Sequence, residues 1–401
     1  MEIGTLKTAA GDVATQFAGD RLLRLPGPSP VPDRIVRAMS RPMMGHRSGA
    51  FQALLRRVVH GLKLLFETEG DVHVFAGSGT LAMESAVVNL LEPGESCIVA
   101  TAGKFGERWV EIAEAFGMRP IVVEFPYGQG ISPAVLARAL DEHPRAGVVF
   151  VTQNESSTGV FNDVEALARE VRARDRLIVV DAVSSFGGAP LSVDAWGLDV
   201  VVSGSQKCLM LPPGLAFAAV GPRARERSEA RPGGPRYYAD WRRYRRSLET
   251  GETPYTPAVS LLYGLEESLA MLAEEGKEAR LARHRLMREM VRAGLAALGC
   301  TLLVDDAHAS WTVTAARHDA VDVEALRKVV RAETGVVLSG GQGSLKGRIF
   351  RVGHMGAATP MDMVATLAAI EFGLGRLGAA PTAGAGAAAA MEVWRAWRQR
   401  S

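Results

Sequence analysis

The stretch VVVSGSQK, from Val200 to Lys207, followed by LPPG from Leu211 to Gly214, decides the fold. An apolar β-branched run that ends in small polar residues and a lysine is typical of a buried strand with an amine at its carboxyl end. Open α/β sheets bind ligands at that end. An amine that is partly desolvated there has a lowered pKa and can form a Schiff base with an aldehyde. Taken alone, a lysine after a strand is more often a solvated loop residue.

A second strand-like run supports the ligand hypothesis. The sequence LIVVD, from Leu177 to Asp181, also ends in a charged group. Burying an acid there is costly unless it has a cationic partner, and a protonated pyridine nitrogen is such a partner. Pyridoxal phosphate acts as an electron sink only while that nitrogen stays charged. We therefore expect pyridoxal phosphate between Lys207 and Asp181.

A glycine-containing turn is the candidate phosphate site. Gly77-Ser78-Gly79-Thr80 lies between the strand-like run Val72–Phe75 and a helical pattern from Leu81 to Leu91. Glycines let a backbone approach a phosphate closely, and a helix N-terminus offers free amides and a favourable dipole. The turn does not match the longer dinucleotide or Walker patterns, and such turns also occur without a ligand.

The order of apolar runs predicts the architecture. Strand-like runs alternate with helical patterns from Val72 to about Leu215, which indicates a mainly parallel sheet covered by helices. We predict four parts: an N-terminal arm (1–24), a large domain (25–275), a smaller α/β domain (276–377), and an Ala/Gly-rich linker with a short helical tail (378–401). The linker, 378–390, is expected to be poorly ordered.

Four ordered blocks carry a resemblance that covers nearly the whole chain. They are Asn154–Gly159, Asp181–Gly188, Ser203–Lys207 with Pro212–Gly214, and Phe350–Gly356. Together they resemble the class V pyridoxal-phosphate aminotransferases, most closely the alanine/serine–glyoxylate (or pyruvate) aminotransferases. The resemblance implies an α/β fold of fold-type I, with a mainly parallel seven-stranded sheet in the large domain and a smaller C-terminal α/β domain.

The resemblance also implies which residues hold the cofactor. Lys207 would carry it covalently and then transfer the substrate proton, and Asp181 would pair with the pyridine nitrogen. Phe105 would stack on the ring, where some relatives have tryptophan. The remaining cofactor contacts implied are Ser78, Gly79, Thr80, Ser156, Gln206 and Thr256.

Arg351, Gly27 and Ser156 are the predicted substrate-binding residues. Arg351 follows Arg348-Ile349-Phe350 in a strand-like run closed by Gly353. By resemblance it would bind the substrate α-carboxylate, which a planar bidentate guanidinium orients better than a point charge does. Ser156 would hydrogen-bond either the cofactor ring oxygen or the substrate carboxylate.

The implied reaction moves an amino group from alanine or serine to glyoxylate or pyruvate by a ping-pong mechanism. An acidic or specialised amine donor is an alternative, as is a lyase or desulfurase reaction on the same fold. A desulfurase needs a mobile nucleophilic cysteine, and neither Cys208 nor Cys300 fits that role well. A non-catalytic subunit of a redox or regulatory assembly is a further alternative, against which the set Asp181, Lys207 and Arg351 argues.

A homodimer with shared sites is the predicted assembly. The segment Thr253–Val259 is too rich in proline for a helix or central strand. In similar enzymes this segment reaches the other subunit's cofactor phosphate, which implies that role for Thr256. On its residues alone, the segment is more typical of an ordinary surface loop.

Composition limits the other partners. The 401 residues have a net charge of +2 and three cysteines without metal or redox spacing. We therefore expect no metal, no membrane contact, no general attraction to nucleic acid, and a cytoplasmic location. The basic aromatic segment Arg236–Arg246 is an exception, although an interface helix or a rim that attracts anionic substrates fits it better than RNA binding does.

Overall fold

The structure is a computed structural model that describes residues 22–231, 233–379 and 381–399. Residues 1–21 of the predicted N-terminal arm lie outside the described residues, as do the last two of the tail. Among the described residues, no helix is both long enough and apolar enough to span a bilayer.

Strands and helices alternate along the chain. The strands are β1 (Leu22–Arg24), β2 (Asp71–Gly77), β3 (Ser96–Thr101), β4 (Arg119–Glu124), β5 (Val148–Thr152), β6 (Asn154–Glu155), β7 (Val160–Phe161), β8 (Leu177–Asp181), β9 (Val200–Gly204), β10 (Gly214–Val220), β11 (Thr301–Leu302), β12 (Val313–Arg317), β13 (Val336–Gly340) and β14 (Phe350–Gly353). The helices are α1 (Asp33–Met39), α2 (Gly49–Phe66), α3 (Gly79–Leu90), α4 (Lys104–Ala115), α5 (Pro133–Glu142), α6 (Val164–Arg172), α7 (Pro222–Glu229), α8 (Trp241–Glu249), α9 (Val259–Glu275), α10 (Lys277–Ala297), α11 (Val323–Thr334), α12 (Pro360–Arg376) and α13 (Ala385–Arg398).

Seven strands form the larger sheet, in the order β2-β10-β9-β8-β5-β3-β4. β10 runs antiparallel to both of its neighbours, and the other adjacent pairs are parallel. The strands β5, β8 and β9 are buried along their whole length, which is why they read as nearly continuous valine runs. The predicted mainly parallel seven-stranded sheet is confirmed.

Both faces of this sheet are covered by helices. Val201 packs into a core that includes α2 residues Leu54 and Leu55, whereas Val200 and Val202 pack into the opposite core beneath α3 and α4. Successive side chains of a strand point to opposite faces, so one apolar run supplies both cores. The helices cover the faces of the sheet and not the carboxyl ends of its strands, where residues can form a site.

Five strands form a second sheet, in the order β1-β13-β14-β12-β11. β1 pairs parallel with β13, Leu22 opposite Val336, so the end of the predicted arm is a strand of this sheet. Gly276, with φ of 79°, separates α9 from α10. The domain boundary at 275/276 falls at this junction and stays a prediction.

The prediction that residues 378–390 form a poorly ordered linker is partly wrong. Helix α13 begins at Ala385, and Ala390 is fully buried. Trp394 and Trp397 pack against the core of the second sheet. Alanine has the highest helix propensity, and tertiary packing of this face stabilises the helix, so a run read as low-complexity linker is helical.

Candidate active site

The strand β9 delivers Lys207 to the carboxyl edge of the larger sheet. The Lys207 ammonium donates a hydrogen bond to the carbonyl oxygen of Pro26. Gly27 has φ of 97°, and a Cβ there would lie 2.7 Å from Lys207 Nζ. Burial lowers the pKa of Lys207 to about 8. Gly27 therefore leaves the space that the lysine occupies, and the amine is poised to lose its proton near neutral pH.

Asp181 ends the neighbouring strand, β8, and lies opposite Val202 of β9. It is 3% exposed and accepts a hydrogen bond of 2.8 Å from the Val183 amide. Burial raises its pKa to about 7, and the nearby charges of Lys207 and Arg108 oppose that rise. A buried carboxylate with one amide donor is the environment in which a cationic partner is most favourable.

The proposed phosphate segment lies beside this pair. Ser78 is the N-cap of α3, but its side chain makes no capping hydrogen bond. A Cβ at Gly79 would lie 2.8 Å from Val183, and one at Gly204 would lie 3.3 Å from Gly79. The Gln206 side-chain oxygen is buried without a hydrogen-bond partner in the described structure.

Strand β10 explains why these segments meet. It pairs with β2 on one side, Gly214 opposite Gly77, and with β9 on the other, Ala216 opposite Gly204. The start of one antiparallel strand thus lies between the ends of two parallel strands. This pairing fixes the segment before α3 next to the segment that carries Lys207.

Arg351 lies on β14 of the second sheet and is 5% exposed. It donates hydrogen bonds to the Ser156 carbonyl oxygen at 2.7 Å and to the Gly340 carbonyl oxygen at 2.9 Å. Burial lowers its pKa to about 10. The structure brings Arg351 and Ser156 together, but the contact uses the backbone of Ser156, and the predicted role of its hydroxyl stays a prediction.

Glu155 is a buried acid to which the sequence reasoning gave no role. Its carboxylate accepts hydrogen bonds from the amides of Phe105 at 2.9 Å, Gly106 at 3.0 Å and Ser157 at 3.1 Å, and from the Ser157 hydroxyl at 2.5 Å. Its charge also favours the cationic form of Arg351. Glu155 therefore holds the start of α4, and with it Phe105, near the residues around Lys207. An acid inside a strongly polar block was the signal that could have revealed it.

Arg108 is the second functional candidate that the sequence reasoning missed. Its guanidinium lies 4.8 Å from the centroid of the Phe105 ring, and Nη1 lies 3.5 Å from the Thr80 hydroxyl. Its charge lowers the pKa values of both Lys207 and Asp181. The spacing of three residues from Phe105 on one helix face could have revealed it.

Thr256 lies apart from these contacts within the chain. It is exposed and lines a small cavity with Ala76, Tyr238 and Tyr255. The hydroxyl of Tyr238 donates to the Ala76 carbonyl oxygen at 3.4 Å. Thr256 thus lies on the surface beside the end of β2, and its contact with a partner subunit stays a prediction.

The basic aromatic segment Arg236–Arg246 is mostly built into the fold. Trp241 and Tyr244 are buried in the core on one face of the larger sheet. Arg242 forms an ion pair with Asp240 at 2.8 Å. These two buried rings are not available for base stacking, whereas Tyr237 and Tyr238 are exposed.

The residues at the sheet edge fit pyridoxal phosphate. An amine with a lowered pKa, a buried carboxylate without a cation bonded to it, an unpartnered Gln206 oxygen and close glycine backbones provide complementary groups for the aldehyde, the pyridine nitrogen and the phosphate.

Comparison with known proteins agrees with this chemistry. The sequence model of the aminotransferase class-V family matches residues 26–358. The chain therefore belongs to the class-V aminotransferases. The predicted fold-type I architecture and the transaminase class are both confirmed.

Three similar proteins illustrate the range of relatives. The soluble hydrogenase small subunit of Synechococcus is 40% identical, covering 93% of this chain and 98% of the relative. The serine–glyoxylate aminotransferase of Methylorubrum extorquens is 35% identical over 95% of this chain and 98% of its own length. The crystal structure of pyridoxamine–pyruvate aminotransferase from Mesorhizobium loti superposes with a TM-score of 0.90 at 32% identity, covering 94% and 97% of the two chains.

Proposed function

We propose that the protein is a pyridoxal-phosphate-dependent aminotransferase that moves an amino group from alanine or serine to glyoxylate or pyruvate by a ping-pong mechanism. The observation that carries this proposal is the buried set of Lys207, Asp181 and Arg351, in which each group has its pKa moved by burial. Relatives named for serine, glyoxylate and pyruvate support the choice of small substrates.

Lys207 and Asp181 would perform the proton chemistry. When bound, pyridoxal phosphate supplies an electron sink for the bond that breaks at the substrate Cα. Lys207, whose burial lowers its pKa to about 8, would accept the Cα proton as a free amine and later donate that proton again. Asp181 would hold a negative charge for the pyridine nitrogen, and a facing cation would lower the pKa of this carboxyl.

Arg351 would orient the substrate. Its guanidinium is fixed by the carbonyl oxygens of Ser156 and Gly340 through Nε and Nη1, and Nη2 has no acceptor among the described residues. Among the described residues, no carboxylate forms an ion pair with Arg351. A substrate α-carboxylate would meet a rigid, desolvated guanidinium, and the proton to be removed would then face Lys207 in one orientation.

The desulfurase alternative is disfavoured by the cysteines. Burial raises the pKa of Cys208 to about 11 and that of Cys300 to about 12. Both thiols are buried and free. A protonated, enclosed thiol is a poor nucleophile, because the thiolate is the reactive form.

Two arginines of the predicted arginine-rich rim are less available to an acidic donor. Arg242 pairs with Asp240, and Arg245 pairs with Glu229. These guanidinium groups already have carboxylate partners, so they attract a dicarboxylate less than unpaired arginines would.

The redox-subunit alternative is raised again by the hydrogenase-named relative. Cys97, Cys208 and Cys300 pack into three different apolar clusters, whereas iron–sulfur clusters need several thiolates together. In this chain, the buried set of Lys207, Asp181 and Arg351 supports an aminotransferase activity on the fold that it shares with this relative. Three free, buried cysteines also support the cytoplasmic location that we propose.

We further propose a homodimer in which Thr256 of each chain reaches the cofactor phosphate of the other. The exposed position of Thr256 beside the end of β2 supports this assembly. Cofactor binding and dimerisation would then be thermodynamically linked.

A half-reaction screen tests the proposed function. The purified, cofactor-loaded enzyme is mixed with single amino acids, and the visible absorbance of the cofactor is followed without an acceptor. Alanine or serine should convert the cofactor to its amino form, and adding glyoxylate or pyruvate should restore the original spectrum. A spectrum that no amino acid changes would contradict transamination.

A further inference from the structure

Arg108 is a cation that has no role in the reaction proposed above. It lies one turn inside α4, with its guanidinium over Phe105 and close to Thr80 in the first turn of α3. It therefore lies between the residue expected to stack on the cofactor ring and the segment expected to receive the phosphate. Lys207 and Asp181 both sense its charge.

In the part of the chain that the structure describes, no carboxylate forms an ion pair with Arg108, although many arginines of the protein have such a partner. The acid that interacts with its charge, Asp181, does so without direct contact. The neighbouring acids Glu107 and Glu155 have other partners: Glu107 contacts Lys104, and Glu155 accepts hydrogen bonds from backbone amides. An unpaired guanidinium next to a helix N-terminus produces a positive potential that favours an anion.

Two independent features indicate where that anion binds. The Ser78 side chain leaves the first amides of α3 uncapped, although serine is a strong capping residue. The buried end of the Gln206 amide, which lies beside Gly204, itself next to Gly79, has no hydrogen-bond partner in the described structure. The oxygen and the NH2 group of a side-chain amide exchange places when the amide rotates, so Gln206 can present its NH2 group to a ligand at this position.

The ligand that these groups fit is a phosphate monoester. It carries close to two negative charges and three acceptor oxygens, enough for helix amides, a side-chain amide and a guanidinium together. The α-carboxylate of a substrate is instead expected at Arg351, on the second sheet. We infer that Arg108 binds the phosphate group of the cofactor, in addition to the groups of α3 and Gln206. This inference rests on the proposed function, because it requires pyridoxal phosphate at Lys207.

A comparison of the affinities for two cofactor forms measures the contribution of the phosphate group to binding. The full-length protein is freed of cofactor and titrated with pyridoxal phosphate and with pyridoxal, which lacks the phosphate, while absorbance and intrinsic fluorescence are followed. Arg108→Gln should weaken pyridoxal phosphate binding by about tenfold or more, since a hydrogen bond to a charged group is lost. It should leave pyridoxal binding unchanged. Arg108→Lys should retain part of the affinity, because it keeps the charge but not the planar fork.

A matched control removes an arginine elsewhere. Arg138 is exposed on α5, so Arg138→Gln changes the net charge equally and should alter neither affinity. Equal weakening of both cofactor forms in Arg108→Gln would overturn the inference, because it would assign Arg108 to support of Phe105. Unchanged binding with a slower reaction for dicarboxylic donors alone would also overturn it and assign the guanidinium to a substrate carboxylate. Absence of cofactor binding by the wild-type protein would instead contradict the proposed function itself.

Discussion

Replacing Asp181 by asparagine should stabilise the cofactor-free protein and impair the loaded enzyme. In the cofactor-free fold, burial holds the pKa of Asp181 at about 7, against an ordinary value of 3.8. The folded state therefore binds this proton more tightly than the unfolded state does. The contribution of the protonated carboxyl to the free energy of unfolding is complete below pH 4 and is lost as the pH rises to 7. The difference between the two pKa values corresponds to about 4 kcal/mol of folding free energy at pH 8.

Asparagine removes this cost without removing the hydrogen bond. Its side-chain oxygen can accept the bond from the Val183 amide that Asp181 accepts at 2.8 Å. Urea denaturation of cofactor-free protein should therefore show Asp181→Asn to be more stable than wild type at pH 8, by up to about 4 kcal/mol, with a smaller difference at pH 5. With cofactor bound, the pyridinium offers a counter-charge, so the advantage of asparagine should shrink while the rate of proton abstraction falls.

Asp319, an exposed residue after β12, provides the control, because Asp319→Asn should change neither stability nor its pH dependence appreciably. If cofactor-free Asp181→Asn is less stable than wild type at pH 8, or if the difference does not depend on pH, then the carboxylate is not destabilised by burial. Unchanged turnover of the loaded variant at saturating cofactor would remove Asp181 from the catalytic set.

Three further predictions concern the other site residues. Lys207→Ala should lose the covalent link to the cofactor and its yellow colour; finding the same borohydride-reducible adduct in the variant would exclude Lys207 from that role. Arg351→Ala should lower kcat/KM for every amino donor about 30-fold, as expected for a loss of about 2 kcal/mol, and Arg351→Lys should recover only part of it; wild-type kinetics would mean that the carboxylate binds elsewhere. Thr256→Ala should weaken cofactor binding and make dimers dissociate at higher protein concentration, as measured by sedimentation with and without cofactor; an active, cofactor-saturated monomer would contradict the shared site.

The features that the sequence predicted best are those that depend on a few consecutive residues. Valine runs buried on both faces identify β8 and β9, and the charged residue at the end of each run identifies Asp181 and Lys207. The antiparallel direction of β10 could not be predicted in this way, because it depends on pairing with two strands distant in sequence.

Contacts between distant segments explain most of what was missed. The partners of Glu155 are amides of α4, about 50 residues earlier in the chain, and only the fold reveals them. Arg351 contacts the Ser156 backbone, which side-chain chemistry does not predict. The first turns of α13, Ala385–Ala390, were predicted as linker because their composition is simple, and the apolar contacts of this helix with the second sheet are tertiary.

The position of β10 between β2 and β9 also has a consequence for the order of assembly during folding. Asp71 pairs with Val220 and Gly77 with Gly214, partners that are 149 and 137 positions apart. Such non-local pairing forms late, since closing a long loop costs entropy before any contact is gained. The segments before α3 and around Lys207 therefore meet only when the larger sheet is nearly complete. A cofactor that needs both segments cannot guide the early steps of folding, and its binding should slow unfolding far more than it accelerates refolding.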